Sequence, residues 1–280
     1  VELNVILAVL GAAFMHALWN MQVRGSADKA LGLGAVMFGH VPIAIVVMIW
    51  AGLPPLSSWP YLLLSAFLHL GYQIFLINAY RFGELTQIYP IARGVAPLLI
   101  VVAGFLFLDS EVTQIEIIGI LMVSGGIILH GVFQFFRTKT PVTGLVLALI
   151  TGCFIAGYSL VDGFGVRHAG SAFGYYGMLV MLNTIPFSLY LRVFHPGVIS
   201  QISTTGRRIA IIGGNASYLA YGLVLWACLH APIAVVSALR ETSVLFALLL
   251  GTLVLGEKFT LAKLAVTLVI LLGVITLRLA

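Results

Sequence analysis

Residues 87–102 read QIYPIARGVAPLLIVV, and residues 231–250 read APIAVVSALRETSVLFALLL. Each stretch is apolar almost throughout, and each carries an arginine near its middle, Arg93 in the first and Arg240 in the second. An ionised side chain at the centre of a bilayer costs roughly 2.5–3.5 kcal/mol even on the mildest scale, so it is kept where it has a partner or a task. Two arginines in matching oily contexts predict a polar cavity between helices that admits something small.

The same composition runs outward in both directions. Of 280 residues 61% are hydrophobic and 8% charged, where a soluble domain carries about 25% charged residues. Apolar stretches of some twenty residues recur along the whole length, each able to cross a ~30 Å hydrocarbon core as a helix. The predicted class is an all-α integral membrane protein with no room for a soluble domain. We read ten transmembrane helices, at about 3–23, 31–51, 59–80, 85–107, 114–136, 143–162, 171–192, 209–229, 233–254 and 261–279. No cleavable signal pattern is visible, and the first segment reads as a genuine span. The net charge of +5 comes from basic residues set singly or in pairs at helix ends, which argues against a nucleic-acid partner. Cys153 and Cys228 fall in different spans and read as small buried apolar residues, and the histidines lack a metal-ligand spacing. No cofactor motif is present.

The chain divides near Arg137, Lys139 and Pro141 into two five-helix halves, 1–137 and 138–280, that resemble each other. A shift of 147 residues carries Arg93 onto Arg240, Gly104 onto Gly251 and Leu108 onto Leu255, and brings the acidic loops Asp109–Glu111 and Gly256–Glu257 together. Span one also matches span six weakly, in a register of its own that sets Phe14 over Phe154. Because five is odd, the second half enters the membrane from the opposite side. The predicted architecture is an inverted five-plus-five repeat with a site near the midplane between the halves. Ten of the fourteen Lys and Arg residues flank the loops after odd-numbered spans, which places both termini outside the cytoplasm by the positive-inside rule.

This combination resembles the EamA family of the drug/metabolite transporter superfamily over essentially the whole chain. The residues that carry the resemblance are the span-four pattern Ile88-Tyr89-Pro90-Ile91-Ala92-Arg93 through Pro97, the Gly256-Glu257 turn followed by Thr260, and Ala17-Leu18-Trp19-Asn20 in span one. The resemblance implies a multi-pass protein of the cell inner membrane that moves small metabolites, often amino acids or related compounds. It also implies a central cavity lined by spans one, three, four, six, eight and nine, with five and ten at the periphery, and termini in the cytoplasm, opposite to the charge count. The Gly83-Glu84-Leu85 and Arg93-Gly94-Val95-Ala96-Pro97 stretches look, more narrowly, like members associated with phosphonate utilisation.

The candidate substrate-binding residues follow from polarity inside these spans. Arg93 and Arg240 each offer a planar fork of donors to a carboxylate, phosphate or phosphonate; the structural alternative is that they pair with carboxylates and hold the bundle. Glu241 is the acid clearly within a span near them. Adjacent helical residues point about 100° apart, so Glu241 can meet Arg93 rather than Arg240, bind a substrate ammonium group, or carry a coupling proton. Asp162, read at a span end, can serve one arginine. Pro90 puts a helix irregularity beside Tyr89 and Arg93. His16 and Asn20 share one face of span one with Trp19 beside it, Tyr72 and Gln73 fall mid-span in span three, Tyr158 sits in span six four residues from Asp162 on one face, and span eight offers Asn215, Tyr218 and Tyr221, the first two three apart. His69 ranks behind Tyr72 and Gln73, while His40 and Asn183, isolated on spans two and seven, read as helix-packing residues.

The expected function is secondary transport of a small polar metabolite by alternating access, with a small-molecule substrate, membrane lipid and possible proton coupling as partners. Two other functions fit less well. A lipid-headgroup flippase could hold phosphate with the same arginines, and an intramembrane enzyme on a lipid-linked substrate would need more carboxylates or paired histidines than the chain has.

Overall fold

The computed structural model describes the chain except residues 27, 84, 108–111, 139 and 254–260, together with the side chains of residues 24, 85, 86, 262 and 263. The acidic loop Asp109–Glu111, Leu108, Leu255, the Gly256–Glu257 turn, Thr260 and Glu84 therefore lie outside the described residues. The described residues are helical, with no strand among them: α1 (Leu3–Arg24), α2 (Lys29–Ala51), α3 (Trp59–Ala79), α4 (Leu85–Phe107), α5 (Gln114–Arg137), α6 (Val142–Ala169), α7 (Ala172–Phe194), a short α8 (Val198–Ile202), α9 (Asn215–Cys228), α10 (Ile233–Arg240), α11 (Ser243–Leu253) and α12 (Leu261–Leu279).

Helix ends fall where the sequence supplies caps. Asp28 accepts from the amides of Ala30 and Leu31 at the start of α2, and Thr113 and Glu116 form a capping box at the start of α5. Gly170, with φ of 69°, closes α6 in the left-handed region that glycine enters without a Cβ clash. Among the described residues, nine helical segments are long and apolar enough to cross a membrane; α12 adds the shorter apolar stretch Leu264–Leu279. Large apolar side chains such as Phe67, Phe133 and Ile185 point outward, while Gln73, Arg93, Asp162, Asn183, Arg240 and Glu241 are buried. A polar interior inside an apolar exterior is the arrangement a lipid solvent demands.

Three spans differ from their expected form. The sixth runs on to Ala169, so Asp162 is interior to α6 and fully buried. The eighth opens with a π-helical turn over Ile209–Gly214. There Gly214 lies against α2 so closely that a Cβ on it would stand 2.6 Å from Gly39 Cα. The ninth, expected as one helix, is broken between α10 and α11. Around the break the amides of Glu241 and Thr242 donate to the carbonyls of Ala238 and Leu239, three residues back, and Thr242 Oγ1 donates to Leu239 O at 2.8 Å. These tighter bonds end the helix with no proline or glycine at the break.

α5 and α12 pack on each other away from the centre, and α5 also lies on α4. α1 packs on α9 and α11, α3 on α6, α2 on α7, and α4 on α6. The helices that remain around the middle enclose the site.

Candidate functional site

A cavity of about 100 Å³, counted at the centres of water-sized spheres, lies inside the bundle. At roughly 10–15 Å³ per water on that measure it holds several waters, the size of a small metabolite. α1, α2, α3, α4, α6, α7, α9 and α10 line it. Spans two and seven therefore line it as well, a difference from the six expected; α5 and α12 supply no lining residue.

One wall is cationic. The Arg93 fork faces Glu241 with Nη2 2.8 Å from Oε1, and Nε donates to Oε2 at 3.1 Å. Arg93 and Glu241 are both buried, and the Arg93 guanidinium sits 5.8 Å from the Tyr89 ring centre. Arg240 is 3% exposed and lines the cavity. Its Nε stands 4.0 Å from Glu241 Oε1 without a hydrogen bond, Nη2 donates to Ser159 Oγ at 3.5 Å, and the group lies 5.9 Å from the Tyr221 ring. Glu241 thus pairs closely with Arg93 through one hydrogen bond and one ion-pair contact, while Arg240 Nε is buried without a hydrogen bond.

Span one braces this wall. The Trp19 indole N–H donates to His16 Nδ1 at 3.2 Å; an indole only donates, so the neutral ring carries its hydrogen on Nε2, which meets the Tyr89 hydroxyl. Asn20 Nδ2 donates both to that hydroxyl at 3.2 Å and to His16 O at 2.9 Å. His16 and Trp19 line the cavity, while Asn20 and Tyr89 stand behind them.

A second wall comes from α2, α3 and α7. Gln73 Nε2 donates to Asn183 Oδ1 at 2.9 Å, and Asn183 Nδ2 donates to Ala66 O at 3.1 Å. Gln73 Oε1 and both ring nitrogens of His40 are buried without a hydrogen-bond partner. Gln73, Asn183, His40 and Tyr72 all line the cavity. A buried polar atom left unpaired is costly.

The remaining buried acid in the middle of the bundle is Asp162. Its Oδ1 accepts from Tyr175 at 3.0 Å and its Oδ2 from Tyr221 at 2.6 Å. Its hydrogen bonds come from tyrosines and from Ser65, and not from either arginine it could have served. His69, which lines the cavity, stacks on Tyr158 with ring centres 4.0 Å apart and points Nε2 at Asp162 Oδ2 from 4.0 Å.

Of the residues singled out in the sequence, Arg93, Arg240, His16, Trp19, Tyr72, Gln73 and Tyr158 reach the cavity surface, and Tyr89, Asn20 and Glu241 touch those that do. Asn215 and Tyr218 do not line it. The lining stripe of α9 is Ser217, Ala220, Tyr221 and Val224; Asn215 precedes Val224 by nine residues, about half a turn round at 100° each. Its amide bonds back to Ile211 O at 2.6 Å on the exposed side. Tyr218 is buried against Tyr176, with its hydroxyl 3.5 Å from Phe173 O. His40, Asn183 and Tyr176 join the lining without having been chosen, and Tyr221, offered with Asn215 and Tyr218 in span eight, is the one of those three that reaches it. Single polar residues on apolar spans give no stripe to read, and a tyrosine in a span reads equally as packing.

A bundle of apolar helices around a buried, charged and partly unpaired cavity defines a multi-pass membrane protein of transporter type. The sequence model of the EamA-like transporter family matches residues 142–279. Over those residues the chain carries the signature of the EamA-like transporter family, part of the drug/metabolite transporter superfamily. A solved crystal structure superposes on 100% of this chain and 98% of its own, with a TM-score of 0.76 at 16% sequence identity, a likeness of fold alone. Comparison with curated proteins gives no match.

Proposed function

We propose that the chain is a secondary transporter carrying a small metabolite with at least one negative group, such as an amino acid, an organic acid or a phosphonate-like anion, across the bacterial inner membrane by alternating access. The observation that carries this reading is Arg240, a buried guanidinium on the cavity surface whose Nε has no hydrogen bond and whose neighbouring carboxylate is already bound by Arg93. An anion entering the cavity meets a guanidinium whose hydrogen-bonding capacity is incompletely used. Gln73 Oε1 and His40 offer hydrogen-bonding positions for the rest of the substrate.

Two inverted halves, 1–137 and 138–280, with α12 completing ten spans, would supply the moving parts. The helix pairing supports this. Advancing each span by five converts the α3–α6 contact into the contact of α9 with α1, and leaves α2–α7 and α5–α12 as self-matching pairs. A pseudo-twofold axis in the membrane plane produces that pattern, with the site on the axis.

Thermal unfolding of the purified protein in detergent, against a panel of amino acids, carboxylates, phosphonates and organic cations, tests the proposal. A ligand at a hundred times its Kd stabilises the folded state by about 2.7 kcal/mol. Stabilisation by an anion or zwitterion that disappears in Arg240→Ala is the expected result. Stabilisation by cations alone, or undiminished binding in Arg240→Ala, would overturn it.

A further inference from the structure

His69 lines the same cavity as the arginines with Asp162 behind it, neither bonds to an arginine, and the hydrogen bonding of the pair is incomplete in a specific way. His69 Nδ1 lies 3.0 Å from the Ser65 carbonyl and 3.1 Å from the Ser65 hydroxyl, one helical turn back. A carbonyl only accepts, so Nδ1 carries the hydrogen of the neutral ring. Nε2 is then a bare acceptor, and it faces Asp162 Oδ2, another acceptor, at 4.0 Å. One added proton would turn two opposed acceptors into a charge-assisted pair.

The surroundings single this place out. Around the ring stand Tyr158 and Asp162 of α6 and Tyr221 of α9, with His40 of α2, Tyr72 of α3, Arg93 of α4, Tyr176 of α7 and Arg240 of α10 on the same cavity. Asp162 is the one acid among them. It is fully buried, tied down by Tyr175 and Tyr221, and reaches the cavity through His69. Glu241, for which a coupling proton was one of three readings, has both oxygens turned to the Arg93 fork.

We propose that His69 and Asp162 form a proton-binding site on the cavity, in which Nε2 takes one proton from cavity water and holds it against Oδ2. The step adds H⁺ to a neutral imidazole beside a carboxylate and gives an imidazolium–carboxylate pair; the proton returns to water on release, and no other bond changes. Resting on the transporter reading, the site assigns the coupling ion. Arg93, Arg240, Glu241 and Asp162 sum to zero charge when ionised, so a bound monoanion leaves the buried site at minus one unless a proton enters with it. Proton and anion therefore favour each other in the cavity.

The test needs no substrate, which separates its failure from failure of the anion reading. Imidazole nitrogens of ¹⁵N-histidine-labelled protein in lipid nanodiscs are titrated by NMR, with the His69 signals assigned by their loss in His69→Gln. The expected result is a ring hydrogenated on Nδ1 alone at high pH that takes one further proton, on Nε2, as pH falls. In Asp162→Asn it should bind that proton about tenfold less tightly or weaker still, the effect of removing an opposite charge at this range. Tyr221→Phe, which leaves the acid in place but removes a hydroxyl bonded to Oδ2, should tighten proton binding. A wild-type ring that carries its hydrogen on Nε2 throughout, or stays neutral until the protein unfolds, would overturn the proposal. So would an unchanged titration in Asp162→Asn, or, should that variant not fold, in Tyr221→Phe.

Discussion

Arg93 of α4 and Glu241 at the break after α10 lie 148 residues apart and meet fork to carboxylate, at 2.8 and 3.1 Å, in a place that excludes solvent from both. The contact joins α4 to the point where the ninth span stops being an α-helix. Removing one partner of a buried pair leaves an uncompensated charge, which costs about 3–5 kcal/mol. We expect Arg93→Ala and Glu241→Ala each to destabilise by that order, and Arg93→Met with Glu241→Leu together to recover most of it. Reversible unfolding in mixed micelles measures the cycle, and additive single effects would show that the pair is not coupled.

Arg240 should behave differently from Arg93 although the sequence gives them equivalent positions. Its carboxylate contact is 4.0 Å long and its other partner is a hydroxyl at 3.5 Å. Arg240→Ala should cost about 1–2 kcal/mol of stability while abolishing the ligand-induced shift. Arg240→Lys keeps the charge but loses the planar fork, and should bind an anion more weakly than wild type. Melting temperatures with and without ligand separate the two effects.

Polar residues on and off the cavity wall make a direct contrast. Gln73→Ala removes an unpaired buried acceptor from the wall and should weaken substrate binding about tenfold or more. Asn215→Ala, on the exposed side of α9, should leave affinity within about twofold. A titration of ligand against both variants decides between the lining observed and a face running through Asn215.

Close helix approach gives a prediction about stability alone. Gly214→Ala would force a Cβ to 2.6 Å from Gly39 Cα, a backbone atom that cannot step aside, and should destabilise by about 1–3 kcal/mol or more. Gly125→Ala meets nothing within 4 Å and should be neutral or stabilise by up to about 1 kcal/mol through helix propensity. Thermal unfolding of the two variants side by side is sufficient.

The sequence by itself determined the class of fold and the placement of nearly every span. Runs of apolar residues long enough for a bilayer leave the backbone no alternative to helix, so α1, α4, α5 and α12 begin and end within about a residue of where their composition puts them. It also marked Arg93, Arg240 and Glu241, because charge is expensive in such runs. Tertiary structure decided which of these charges is spent and which remains available. That division depends on a helix break at Glu241 with no proline or glycine to announce it, and on the distance at which α4 meets α10. It likewise decided that His40 and Asn183, each solitary on its own span, face the same cavity, and that Asn215 turns away from it. Periodicity fixes only relative angles along one helix; the rotation of that helix against its neighbours is set by packing between residues far apart in the chain.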